Sequence, residues 1–229
     1  MFDTVIGLGH RCFTAQHLRR MMIHSGTMPF DWIISSNEGT ASALADRFAG
    51  MFQPELLELR SDHIADHRYG FQHLHDFPIA ADFIADRDRV VARYDQLTRR
   101  MATALTSPKR VLFVRHEEPG VGGPQAAARL LDALGQWRPP SSFHLLYMSE
   151  VESPDDGAAT PNLTSVHVAP DVGEHPEHWD EIFTAMHRRE PIVGYFPGLV
   201  RSLAAIPRSV RVPVQNLVGS SRRRLLKLA

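Results

Sequence analysis

The sequence holds a single cysteine, Cys12, among 229 residues. One thiol excludes an internal disulfide and suits a reducing compartment. No stretch approaches the roughly 20 consecutive apolar residues of a membrane span. The opening residues MFDTVIGLGH carry Asp3 and no basic cluster, so they do not read as a secretory signal. These absences together predict a cytoplasmic protein with no transmembrane segment. An excess of one charge sign is also lacking. The formal net charge is −1, which offers nucleic acid no general attraction. There is no internal repeat and no low-complexity linker. What remains is a globular chain, 43% hydrophobic, of a length that suits one domain. The one excess is histidine, with 13 residues, which raises the question of a metal.

The chemistry concentrates in Thr4 to Ile33, TVIGLGHRCFTAQHLRRMMIHSGTMPFDWI. A short apolar run ends in Gly7 and Gly9. His10, Arg11 and Cys12 follow, and then a helix-like segment. Strand, glycine turn, thiol and helix is how an α/β protein presents a nucleophile: the turn sits at the carboxyl end of the strand, and the helix N-terminus favours negative charge. This predicts a thiolate better formed than that of a free thiol. A buried cysteine closing the turn is the alternative, because free cysteine is among the most buried residue types. Asp31, between Phe30 and Trp32, sits in an apolar setting and needs a donor. It reads either as a structural hub or as an orienting acid.

Along the chain, apolar runs predict strands at 4–8, 109–115, 142–148 and 164–168. Helical spacing predicts helices at Phe13 to Ile23, Asn37 to Phe52, Asp86 to Leu105, Pro124 to Trp137 and Glu177 to His187. Residues 54–60 fit a short helix or a strand. Asp62 to Phe77, rich in histidine, reads as loop and short strands. The expected fold is a single α/β domain over 1–229. It is three-layered, with a mainly parallel Rossmann-like or flavodoxin-like sheet, helices on both faces, and an insertion of about 25–85 capping the site. The basic tail 207–229 ends in RRRLLKLA, which reads as a terminal helix or as a surface for a membrane or partner.

The motifs GLGHRC, LRRM, PFDWI, HDF, a late helical RR and VLFVR occur in one order over about residues 4–116. In that order they resemble a bacterial family of unknown function grouped as papain-like cysteine peptidases. The resemblance implies a nucleophile at Cys12, with His75 and Asp76 of HDF and Asp31 of PFDW as the other signature polar residues. It also implies a setting near polysaccharide biosynthesis, with a glycan or an acylated carrier as substrate. The usual family pattern has serine two residues before the second glycine. Here Gly7 stands there, so no serine competes with the thiol.

A thiol nucleophile needs a base and a group to orient that base. His75 with Asp31 or Asp76 supplies both, and backbone N–H groups from Gly9 to Phe13 could hold an oxyanion. His10 is two residues from Cys12 and can point away from it. A rival reading is metal: His63 and His67 are four apart, and His73, His75 and Asp76 follow, though the spacing matches no specific zinc signature. His175 and His178 are a weaker version of this. The other rival is a non-catalytic protein binding a glycan or anion through Gly9, His10, Arg11, Arg115 and His116 at the strand ends, since arginine suits carboxylate and phosphate. A dinucleotide site is not expected, because the third glycine of that turn is missing. The reading as a whole is a cysteine-dependent hydrolase or acyl transferase with no cofactor and no bound metal. It acts on a small-molecule, glycan or peptide substrate and does not bind nucleic acid.

Overall fold

The computed structural model describes residues 1–60, 63–74, 83–117, 119–152 and 159–198. A mixed α/β architecture is built on a five-stranded sheet in the order β1 (Thr4–Gly7), β6 (Val111–His116), β7 (Phe143–Ser149), β9 (Leu163–His167) and β8 (Ala159–Thr160). The first four run parallel, with Thr4 opposite Val111, Val111 opposite Phe143 and Leu145 opposite Leu163. β8 closes one edge antiparallel. These four parallel strands are the four that the apolar runs predict. Every residue of β6 and β7 is buried, as in strands inside a parallel sheet. The described parallel strands follow chain order, without the reversal that creates a switch point in a complete doubly wound sheet.

Among the described residues there are five α-helices: α1 (Phe13–Arg20), α2 (Asn37–Ala45), α3 (Phe83–Thr106), α4 (Pro124–Gly135) and α5 (Pro176–Arg189). Alternate sheet residues Ile6, Leu8, Val111, Phe113, Phe143, Leu145 and Tyr147 share one core with Leu44, Tyr94, Met101, Leu130 and Leu134 of α2, α3 and α4. The intervening His116 packs edge-on against Trp179 of α5, and Trp179 stacks on His17 of α1 at 4.5 Å. Arg20 clamps the two helices through Asp180 at 2.6 Å.

Two helices stop earlier than their periodicity predicts, α1 at Arg20 rather than Ile23 and α2 at Ala45 rather than Phe52. Both close through a left-handed residue that is not glycine. Met22 has φ 61° and Arg47 has φ 54°. Ile23 N–H then reaches back to Leu18 O at 3.0 Å and Phe48 N–H to Ala43 O at 2.7 Å, the six-to-one bonds of a Schellman ending.

The segment between β1 and β6 holds a second sheet. Its order is β2 (Ile33–Ile34), β5 (Phe71–His73), β4 (Ile64–Asp66) and β3 (Leu57–Leu59), antiparallel throughout. Ile33, Ile64 and Phe71 join the main core. Asp66 holds its turns, accepting from Arg68 N–H at 2.8 Å and Phe52 N–H at 3.3 Å. Residues 54–60 turn out to be both expected forms in succession, a 3₁₀ turn over Pro54–Leu56 and then β3.

Two compact units divide the chain, Met1–Tyr195 and Phe196–Ala229. All the elements above belong to the first. The tail 207–229 lies outside the described residues. No helix among the described residues is long and apolar enough to cross a membrane.

Candidate active site

The loop after β1 is fastened from below by Arg115, near the end of β6. Arg115 is fully buried and spends its guanidinium entirely on the protein. Nη1 donates to Leu8 O at 2.8 Å and Ser35 Oγ at 3.2 Å, and Nη2 to Ser35 O at 2.8 Å. Nη2 and Nε also grip the two carboxylate oxygens of Glu117 at 2.6 and 3.2 Å. Glu117 is equally buried and accepts from Asn37 Nδ2 at 2.7 Å and the Tyr147 hydroxyl at 3.0 Å. Burial and the Glu117 charge push the Tyr147 phenol above its usual range. This network ties β1, β6, β7 and α2 to the end of β2. It corrects the expectation that Arg115 offers its charge to a ligand.

Gly9 sits against this rivet. A Cβ there would lie 2.4 Å from Ser35 Oγ and 3.3 Å from Arg115 Nη1, and its φ of +84° favours glycine. Gly9 therefore lets the loop lie down on the network. The loop is held further by His10 N–H on His116 O at 3.1 Å, by Ser35 N–H on His10 O at 2.9 Å, and by the Thr14 hydroxyl on Gly9 O at 3.1 Å.

Cys12 caps α1 and is half-buried. Its Sγ accepts from Gln16 Nε2 at 3.3 Å. It opens on a cavity of about 290 Å³ lined by Arg11, Phe13, Trp32, Ile33, Ile34 and Leu74. Burial raises the thiol above its ordinary range, outweighing the opposing pull of its own backbone and of Arg11. This direction opposes the thiolate that the helix N-terminus favours. His10 opens instead on a separate pocket with His116, so the two side chains diverge as their spacing suggests.

A family described as Putative papain-like cysteine peptidase (DUF1796) matches residues 3–119, the stretch that carries β1, the thiol, the inserted sheet and β6. The chain belongs to this family. No curated protein and no solved structure matches it.

Of the polar residues that the family resemblance points to, Cys12 and Asp31 are described, whereas His75 and Asp76 lie outside the described residues. Leu74, the residue before His75, is a wall of the Cys12 cavity. Asp31 is buried and meets a partner that the sequence did not suggest. Its Oδ2 accepts from His24 Nε2 at 2.8 Å and from Met28 N–H at 2.9 Å, which folds the PFDW turn back on itself beside β1. Its carboxylate lines neither the Cys12 cavity nor the His10 pocket. Trp32 beside it does line the Cys12 cavity and carries Arg19 over its ring at 4.7 Å.

Of the residues in the metal reading, His75 and Asp76 lie outside the described residues. His67 is exposed and paired with Glu58. His73 is buried among Phe52 and Tyr94, and burial lowers it to about 3. His175 pairs with Asp171 and Glu177. Among the described residues, no group of three or more His, Cys, Asp or Glu side chains could hold a metal ion. Sequence reasoning missed Ser35, Asn37 and Glu117 as the support of the loop. Their one visible signal was the placement of Glu117 at the end of a buried strand.

Proposed function

We propose that this chain is a cysteine-dependent hydrolase or acyl transferase in which Cys12 is the nucleophile and His75 its base, with Asp76 orienting the base. The observation that supports it is the half-buried thiol at the start of α1, open to a cavity whose wall includes the residue preceding His75. The resting thiol is protonated, so His75 takes its proton as Sγ attacks a carbonyl carbon. The oxyanion formed would be held by N–H groups of the first turn of α1, which have no partner inside the helix. Collapse expels an amine or alkoxide that takes the proton back from His75 and leaves a thioester on Cys12. Water or an acceptor nucleophile then releases the acyl group.

Asp31 enters as a positioning residue, because it shapes the turn that presents Trp32 to the cavity. A peptide, glycan or small-molecule substrate and a cytoplasmic setting belong to the same proposal, as does the link to polysaccharide biosynthesis that the resemblance implies. So does the three-layer, Rossmann-like or flavodoxin-like layout. Its supports are the chain-order parallel strands and the packing of α2 to α4 on one set of sheet residues, with α5 against His116 of the other.

The test is turnover of a panel of activated esters and peptide amides. Wild type should turn over at least one class, while Cys12→Ala and His75→Ala, shown to be folded by circular dichroism, should lose it by a factor of 10² or more. Full turnover by folded Cys12→Ala overturns the reading.

A further inference from the structure

We propose that the pocket between His10 and His116 is a second ligand site, built for an uncharged hydroxyl-bearing group of the polyol or sugar class. It lies at the carboxyl ends of β1 and β6, where parallel sheets present ligands. His10 and His116 share its lining with Arg11, Glu150, Asp171 and Glu174. Its volume of about 140 Å³ equals that of roughly four or five molecules of liquid water. A small polar group fits and a long chain does not.

Unmet hydrogen bonds carry the inference. His10 is only 4% exposed; its ring feels the Ser35 backbone, but neither ring nitrogen makes a hydrogen bond of ordinary length and angle. His116 is 6% exposed, and its Nε2 has none. Buried polar atoms are almost always partnered, so three such nitrogens on two residues lining one pocket are an unfilled demand. Burial first, then neighbouring positive charge, lowers both rings to about 4. At neutral pH each ring is therefore one donor and one acceptor. A hydroxyl answers both, donating to a bare nitrogen and accepting from an N–H.

The surrounding charges narrow the class. The carboxylates, of which Asp171 is paired with His175, disfavour an anion, and both they and Arg11 hydrogen-bond to hydroxyls. The walls are preset. His10 N–H is tied to His116 O, and the ring of His116 rests edge-on against Trp179, whose Nε1 donates to Val172 O at 2.9 Å. Arg11 and Phe13 line both this pocket and the Cys12 cavity, so an occupant would sit beside the thiol segment without depending on thiol chemistry.

The test is a titration of the whole wild-type chain with D-glucose, glycerol and, separately, inorganic phosphate, read by long-range proton–nitrogen NMR of the imidazole rings. Glucose or glycerol should shift the His10 and His116 signals saturably. His116→Phe, which keeps a ring against Trp179, should weaken the effect at least tenfold as read at His10. The Cys12→Ser chain should give the same shifts as wild type, which separates failure of this site from failure of the thiol chemistry. A saturable shift with phosphate and not with the polyols overturns the ligand class. No shift with any of the three overturns the site and leaves water as its occupant.

Discussion

At the scale of single residues, the environment of a group outweighs its type. Cys12 stands where a helix N-terminus favours a thiolate, yet partial burial wins and raises it. Iodoacetamide should therefore alkylate Cys12 more slowly than a free thiol at pH 7, with the rate still climbing beyond pH 9. A fast rate at pH 7 would mean a resting ion pair instead. Arg115 shows the same reversal, since an arginine at a strand end is here a structural bolt. Arg115→Ala removes the cation that grips the buried Glu117 carboxylate and should cost about 3–5 kcal/mol. Adding Glu117→Gln should recover part of that. Urea melts of the two variants measure it, and a loss below ~1 kcal/mol would remove the bolt. For Asp31, Asn can still accept from Met28 N–H, so Asp31→Asn should cost less stability than Asp31→Ala. Because the carboxylate lines no described cavity, the Asn variant should leave Cys12 alkylation near wild type. A folded Asn variant with a sharply altered rate would tie Asp31 to the thiol.

At the scale of elements, the informative misreadings are the helix ends. Periodicity carried α1 and α2 past their stops because Met22 and Arg47 occupy positions where glycine usually signals the end. An L-residue held left-handed is strained by roughly 1–2 kcal/mol. Arg47 offsets this by lying over Trp137 at 4.5 Å. Both Arg47→Gly and Arg47→Ala lose that contact, but only glycine relieves the strain. Arg47→Gly should thus be the more stable by about 1 kcal/mol, the reverse of the order inside a helix. Thermal melts of the pair decide it, and alanine proving the better would mean that Arg47 is not left-handed. The short strands of the second sheet were legible only as short strands, without bounds or pairing, and β2 not at all. Two or three residues are too few to show an alternation, and what holds them is pairing with partners up to 40 positions away.

For the whole molecule, the histidine content has consequences for acid stability. Burial lowers His10 and His116 to about 4 and His73 to about 3, and lowers His17 and His144 as well. In the unfolded chain each returns to about 6.5. Between about 6.5 and 4 the unfolded state binds more protons, so stability is complete above that window and is lost as pH falls through it. Each such histidine contributes a slope of up to roughly 1.4 kcal/mol per pH unit. The melting temperature should fall steadily from pH 7 to pH 4.5, and His73→Phe should flatten the fall by about one proton. A profile unchanged by that substitution would mean that His73 is not neutral inside the fold.

Local pattern alone determined the four parallel strands and the existence of the five described helices, because each is a run long enough to carry its own periodicity and burial. The family was legible too, since six short motifs in a fixed order form a local signal. Which polar residue meets which was decided only in three dimensions. Arg115 meets Glu117 and Ser35, and Asp31 meets His24, a partner that the residue types did not suggest. Nothing in the residue types separates a buried arginine from a binding one. Burial does so, because a charge removed from water must find its partners inside the chain. Those partners are fixed by where the parallel sheet and the inserted sheet come together.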